Sequence, residues 1–289
     1  MNYSEEFKTL LNTVSDGYIG HGNPNAKILF LGQEPAWNRE DEKQNKSYER
    51  EIKGNRKEWS EIVTRGDGYD VIDRYVDNFD PKKEQPDFYS PLHPWPLQKF
   101  QVRTEKREER INGHDEKIRE LVVRGNDGTA RSWYKYQTLI YLIFEEQLCK
   151  EEGLTLHFKS FHTDMSDAAY RQHDATNIDS KQSVSDRMDL LKHPFFQNFP
   201  VVIASVGNFP RDVYGDKYFG DVFHVDYIGN QAGDNLPWIN VSVREGDNPQ
   251  ILIHCRQASA PLPNAYFERI AEIVCDFAKK HNINLNPTE

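Results

Sequence analysis

The residues best placed to do chemistry follow two short apolar runs. The first run, Ile28-Leu29-Phe30-Leu31, continues into Gly32-Gln33-Glu34-Pro35-Ala36-Trp37. Such a run reads as a strand buried on both faces, and Pro35 fixes the turn after it. Open α/β sheets bind ligands beyond the carboxyl ends of their strands. Glu34 therefore sits where an α/β enzyme places a catalytic group. A carboxylate there can move a proton or stabilise developing positive charge. Its plainer reading is a helix cap or the partner of an arginine. The second run, Ile251-Leu252-Ile253, continues into His254-Cys255-Arg256-Gln257. His254 emerges at the carboxyl end of its strand, either as a site residue or as a hydrogen-bonded core histidine. A third buried run begins at Pro200 and stops at Gly207. Asn208, which follows it, faces the same cleft or completes a turn.

Several other combinations are weaker. His157, His162, Asp164, His173 and Asp174 invite a metal reading. In a strand over 157–164, however, their odd separation sends His157 and His162 to opposite faces, so no metal site is expected. Cys255 and His254 are adjacent in a strand and point apart, which argues against a nucleophile pair. Gly20-x-Gly22 precedes its strand, whereas a dinucleotide fingerprint follows one. No Gly-x-Ser-x-Gly elbow is present.

The first stretch resembles the opening motif of the uracil-DNA glycosylase superfamily, whose first core strand runs into Gly-Gln-Asp-Pro-Tyr-His. The strand and histidine of Ile251–Gln257 are similar to the family's closing motif, a strand followed by His-Pro-Ser-Pro. The resemblance covers the α/β core, roughly 15–37 and 137–280. It implies a three-layer α/β/α fold with a short, mostly parallel central sheet. It also implies a DNA glycosylase-type hydrolase of base-excision repair. Such an enzyme flips an aberrant base out of the stack and hydrolyses its N-glycosidic bond. The resemblance calls for no metal or other cofactor.

Cleaving that bond builds positive charge on the sugar and negative charge on the departing base. By resemblance, Glu34 takes the place of the family's Asp, which positions or activates water. Its extra methylene displaces the carboxylate by roughly 1 Å, a shift that can cost about a hundredfold in rate. His254 takes the place of the histidine that stabilises the leaving base. Gly32, Gln33 and Pro35 match the motif around the base. Ala36 replaces a Tyr that excludes thymine, so the pocket is expected to be wider. Trp37 either stacks on a base or belongs to the core. The family reads uracil with an Asn at the end of its second core strand. Here Phe161-His162-Thr163-Asp164 contains none, leaving His162 or Asp164 as substitutes. A carboxylate there would repel the uracil carbonyls and prefer donors such as those of cytosine or guanine. In place of Pro-Ser-Pro, Arg256 can grip a phosphate and Gln257 can probe a base edge.

Positioning these groups requires alternating strands and helices. Helices are expected at Glu5–Val14, Trp133–Leu148, Ser185–Leu191 and Asn264–Lys280. Strands are expected at Ile28–Leu31, Leu154–Phe161 (ending near His162–Asp164), Pro200–Asn208 and Ile251–His254, with an edge element at Val222–Ile228. The pattern argues for a mostly parallel sheet covered on both faces. The 289 residues read as a single domain with an insertion at about 38–130. Its mixed-sign charge runs suggest exposed helices, and residues 87–97 read as an ordered aromatic loop. No apolar run is long enough to span a membrane, and the first residues lack a signal-peptide pattern. Three widely spaced cysteines suit a reducing, cytoplasmic setting. The net charge of −10 disfavours tight non-specific duplex binding, although a local basic groove is compatible with it. The expected partner is DNA, single- or double-stranded, or a nucleobase or nucleotide. Oligomeric state stays open. Two other readings remain: a non-catalytic nucleobase-, nucleotide- or nucleic-acid-binding protein on the same fold, and a hydrolase of free nucleosides or nucleotides, which the acidic charge suits.

Overall fold

Four parallel strands form the centre of the protein in its computed structural model, which describes residues 1–14, 17–33, 48–68, 90–92, 131–146, 156–167 and 178–288. They are β2 (Ile28–Gly32), β3 (Ser160–Asp164), β4 (Val201–Ala204) and β7 (Gln250–Cys255). Three antiparallel strands extend the edges: β1 (His21–Gly22) beside β3, β6 (Ile239–Arg244) beside β7, and β5 (Asp226–Asn230) beside β6. The order is β1-β3-β2-β4-β7-β6-β5. The α/β expectation is met: the sheet is mixed, with a parallel core and antiparallel strands at its edges.

Alternation along each central strand builds two cores. Leu29, Leu31, Val202, Ala204 and Leu252 point into one cluster. It is completed from α1 (Glu5–Thr13), α2 (Asn55–Arg65), α5 (Ile178–Leu191), α6 (Pro194–Gln197), α7 (Phe209–Val213) and α8 (Tyr218–Phe223). Ile28, Phe30, Val201, Ile203, Ile251, Ile253 and Cys255 point the other way. There they meet α3 (Arg131–Phe144) and α9 (Asn264–Lys280). Strand residues one apart face opposite sides, so runs with no polar interruption are what a sheet covered on both faces demands.

Several boundaries differ from the sequence expectation. Residues 156–159 form a helical turn, α4 (Leu156–Lys159), not the start of a strand. Buried Gln137 accepts a hydrogen bond from the Leu156 amide at 2.7 Å, and the Ser160 hydroxyl donates to the Leu156 carbonyl at 2.5 Å. These side-chain bonds override the weak alternation and delay β3 to Ser160. Val222 and Phe223 end α8, and the edge strand begins only at Asp226. Helix α3 ends at Phe144, where Glu145 takes a left-handed conformation. Leu148 lies outside the described residues. Strand β6 was unexpected, although Ile239, Val241 and Val243 alternate with polar residues as a half-buried strand should.

The described part of the 38–130 segment packs into the main core. A π-helical turn, Glu49–Lys53, leads into α2. Trp59 on α2 is fully buried, edge-on to Phe7 at 5.0 Å, and its indole N–H donates to Gly20 O at 2.8 Å. Asn55, also fully buried, accepts from the Ile19 and Gly20 amides through Oδ1 and donates back to Gly20 O. Gly20 has φ +138, and a Cβ there would collide with the His162 carbonyl and the Phe161 ring, so only glycine suits the approach. Residues 87–89 and 93–97 of the expected aromatic loop lie outside the described residues.

Trp59→Ala removes the largest buried side chain of α2 and a satisfied donor. We expect a loss of about 3–5 kcal/mol in denaturant unfolding. A loss below about 1 kcal/mol, the range of surface changes, would contradict this packing.

Candidate functional site

The chain leaves β2 for β3 on one side and returns from β3 to β4 on the other. Such a reversal opens a crevice between neighbouring strands at their carboxyl ends. Here it falls beyond Gly32 of β2 and Ala204 of β4, with Asp164 of β3 and His254 of β7 flanking them.

Hydrogen bonds knit this edge together. Gln33 Nε2 donates to Val206 O at 2.7 Å, and Gln257 Nε2 donates to Gln33 Oε1 at 3.0 Å. The two sequence-singled segments, 224 positions apart at these glutamines, thus meet directly. The Gly207 amide donates to Cys255 O at 3.0 Å, and Gly207 itself has φ +56. Ser205 Oγ donates to Arg256 O at 3.0 Å, while the Arg256 amide donates to the Tyr266 hydroxyl at 2.9 Å. The Arg256 backbone is therefore held from both sides. Its side chain and that of Gln257 are exposed. Asn208 is also exposed; it precedes α7 without a side-chain capping bond.

His254 and Asp164 leave the sheet on opposite faces. His254 packs against Phe219 and Trp238, each with ring centroids 4.8 Å away. Its Nε2 lies 2.6 Å from Gly207 O. A carbonyl only accepts, so Nε2 carries the proton and Nδ1 the lone pair in the neutral ring. Burial lowers the His254 pKa, and the Gly207 hydrogen bond partly opposes that shift. Asp164 instead lies on the α3 side. It pairs in register with Gly32, and a Cβ at Gly32 would collide with its carboxylate. Burial raises the Tyr136 phenol on α3, and the nearby Cys255 and Asp164 add to the shift.

His162 does not reach the crevice. It lies two residues below the end of β3, buried, with His21 at 5.3 Å and Phe30 at 4.8 Å stacked on its ring. The Ser160 hydroxyl spends its proton on Leu156 O and so accepts from His162 Nε2 at 2.8 Å. Burial takes the His162 pKa well below the usual value, with His21 adding to the effect. Cys255 points into the α9-side core, and burial pushes its thiol up to about 12, which leaves it inert as a nucleophile. Glu34, Pro35, Ala36 and Trp37 lie outside the described residues, as do His173 and Asp174.

Arg187 of α5 is a contributor that sequence reasoning passed over. It is buried, and Nε donates to Asp164 O at 2.7 Å, Nη2 to Thr163 Oγ1 at 2.6 Å and Nη1 to Tyr18 O. Its guanidinium also lies over the Tyr18 ring. A cation whose donors go to two main-chain carbonyls and one hydroxyl fixes the end of β3. Its only sequence signal was its place between Val184, Met188 and Leu191 on the inward side of α5.

Among the described residues, no three His, Cys, Asp or Glu side chains gather to hold a metal ion, and no helix is long and apolar enough to cross a membrane. No family model, curated protein or solved structure matches the chain. The described residues thus define an α/β protein whose polar groups meet at the carboxyl ends of its central strands.

The histidines set an acid limit on stability. Burial takes His21 down to about 3, and lowers His162 and His254 as well. Depressed histidines contribute stability that is complete above the unfolded value of about 6.5. It is lost as pH falls toward the folded values, because only the unfolded chain takes up protons there. Denaturant titrations between pH 7 and pH 5 should show falling stability, with a limiting slope of roughly 1.4 kcal/mol per pH unit per histidine. His21→Asn should flatten that slope. An unchanged slope would contradict its burial in neutral form.

Proposed function

We propose that the chain is a uracil-DNA glycosylase-like hydrolase that cleaves the N-glycosidic bond of an aberrant base in DNA. The observation that carries this reading is the Gln33–Gln257 hydrogen bond of 3.0 Å. It joins the ends of the two motif-bearing strands at the crevice where α/β sheets bind ligands. In this reading Glu34 orients water and stabilises the sugar cation, and His254 acts on the departing base. Arg256 takes a phosphate, consistent with its exposed side chain on a fixed backbone. Gln33 and Gln257 hold the two halves of the site in register. Bond cleavage sends the electron pair to the base nitrogen, and water adds at the sugar carbon.

One observation favours a second reading, a non-catalytic nucleobase- or nucleic-acid-binding protein on the same scaffold. The Nε2 proton of His254 is donated to Gly207 O, and burial disfavours a second proton on Nδ1. Leaving-group stabilisation requires either redirecting that N–H to the base or protonating the ring. Protonation becomes easier as pH falls. A glycosylase using the imidazolium should therefore release base faster on acidification below neutrality, until unfolding intervenes.

The deciding experiment is base release from single- and double-stranded oligonucleotides carrying uracil, hypoxanthine, xanthine or a mispaired thymine. Wild type is compared with Glu34→Ala and His254→Ala. We expect release from at least one substrate, reduced about a hundredfold or more in each variant. Folded wild-type protein that releases nothing would overturn the DNA glycosylase in favour of the binding protein or of a hydrolase of free nucleosides or nucleotides.

A further inference from the structure

We propose that His254 recognises the ligand as a hydrogen-bond acceptor, its Nδ1 lone pair taking a ring N–H from a nucleobase held beside Trp238. This rests on reading the crevice as a nucleobase site, and it names the donor that the bound base must present. It holds for a glycosylase and for a binding protein alike. The imidazole is pinned through its other nitrogen. Nε2 lies 2.6 Å from the Gly207 carbonyl, which only accepts, so the proton sits on Nε2 and the lone pair on Nδ1. Phe219 and Trp238 pack against the ring with centroids 4.8 Å away, at interplanar angles of 52° and 65°. Among the described residues nothing donates to Nδ1, yet Nδ1 is not one of the buried polar atoms left without a partner. The lone pair therefore opens to solvent from a half-buried ring. Burial lowers the His254 pKa, so the ring is neutral and the lone pair present at neutral pH.

Trp238 reaches this place from the hairpin between β5 and β6. Ile239, the first residue of β6, lies in register with Cys255, so residue 238 stands at the carboxyl edge of β7. Tyr266 of α9 ties the two segments together. Its hydroxyl accepts from the Arg256 amide at 2.9 Å and donates to Trp238 O at 3.0 Å. Trp238 is half-buried, so part of its indole faces solvent next to His254. An aromatic surface holds a planar base, and a polar group at the base edge orients it. An imidazole nitrogen without a proton accepts and cannot donate. The ring N–H of uracil or hypoxanthine matches it, whereas a carbonyl oxygen would set lone pair against lone pair. Reversing the tautomer is opposed, because the Gly207 carbonyl would then face a lone pair in place of its donor.

The test is calorimetric binding to the full chain of uridine and inosine beside 3-methyluridine and 1-methylinosine, which lack the ring N–H. Wild type is compared with His254→Phe, which keeps an aromatic ring and has no lone pair. In parallel, nitrogen-15 NMR of histidine-labelled wild type follows His254 during the uridine and inosine titrations. Wild type should bind uridine or inosine at least about tenfold more tightly than its methylated analogue, and His254→Phe should bind the two alike. The Nδ1 resonance should move toward its hydrogen-bonded position while Nε2 keeps its proton. Nucleoside binding that leaves Nδ1 unmoved, or that shifts the proton from Nε2 to Nδ1, overturns the proposal in wild type alone and leaves the nucleobase reading standing. Methylated analogues bound as tightly as their parents, or a folded His254→Phe protein that still discriminates, overturn it as well. Absence of binding by every nucleoside and by single-stranded oligonucleotides would remove the nucleobase reading and the proposal with it.

Discussion

The structure depends on the closed hydrogen-bond ladder of its four parallel strands. Each strand is buried on both faces, so its backbone polar groups must find partners within the sheet. No backbone polar group is left for chemistry until the ladder stops. When it stops, it does so for β2, β3, β4 and β7 along one edge, because parallel strands share a direction. Carbonyls freed there accept from the Gln33 side chain, the Ser205 hydroxyl, the Gly207 amide and the His254 ring, and Gln257 braces Gln33. The crevice is polar because this is where the sheet's unpaired groups gather, and it is ordered because side chains complete them.

Two of its members illustrate how tightly the donors are committed. Arg187 is a buried cation whose hydrogen bonds end on neutral oxygens. It contributes as a clamp on the end of β3, and removing it would take three hydrogen bonds from the interior. His254 places its single N–H on Gly207 and rests between Phe219 and Trp238. Both arrangements favour a preorganised edge, where groups are held before any ligand arrives. They also divide the site, with His254 on one face of the sheet and Asp164 on the other. A ligand that meets both must lie across Gly32 and Gln33.

How far the chain could be read in advance follows the same physics. Long or fully apolar elements were legible. Asn264–Lys280 matches its expected bounds, and Ile28–Leu31 and Ile251–His254 lie within β2 and β7. Elements fixed by distant side chains were not legible. The helical turn before β3 depends on Gln137, and the two-residue strand β1 depends on Asn55 and Trp59, more than thirty positions away. At the site, residues ending apolar runs could be singled out, because burial makes such runs visible. His162 was misplaced by the same logic, because the end of β3 was drawn without its partners. Ser205 and Tyr136 gave no local sign of their contribution, and Arg187 only its inward place on α5, since what they do lies in contacts with residues far along the chain.

The central claim is that the carboxyl edge of the four parallel strands is where a nucleobase ligand is held. Amide hydrogen exchange of the full chain, with and without a saturating single-stranded oligonucleotide, tests it most directly. Protection concentrated at residues 32–33, 164–167, 205–208 and 254–257 is the expected result. Protection confined to the β5–β6 edge or to α9, with the strand ends unchanged, would contradict the account.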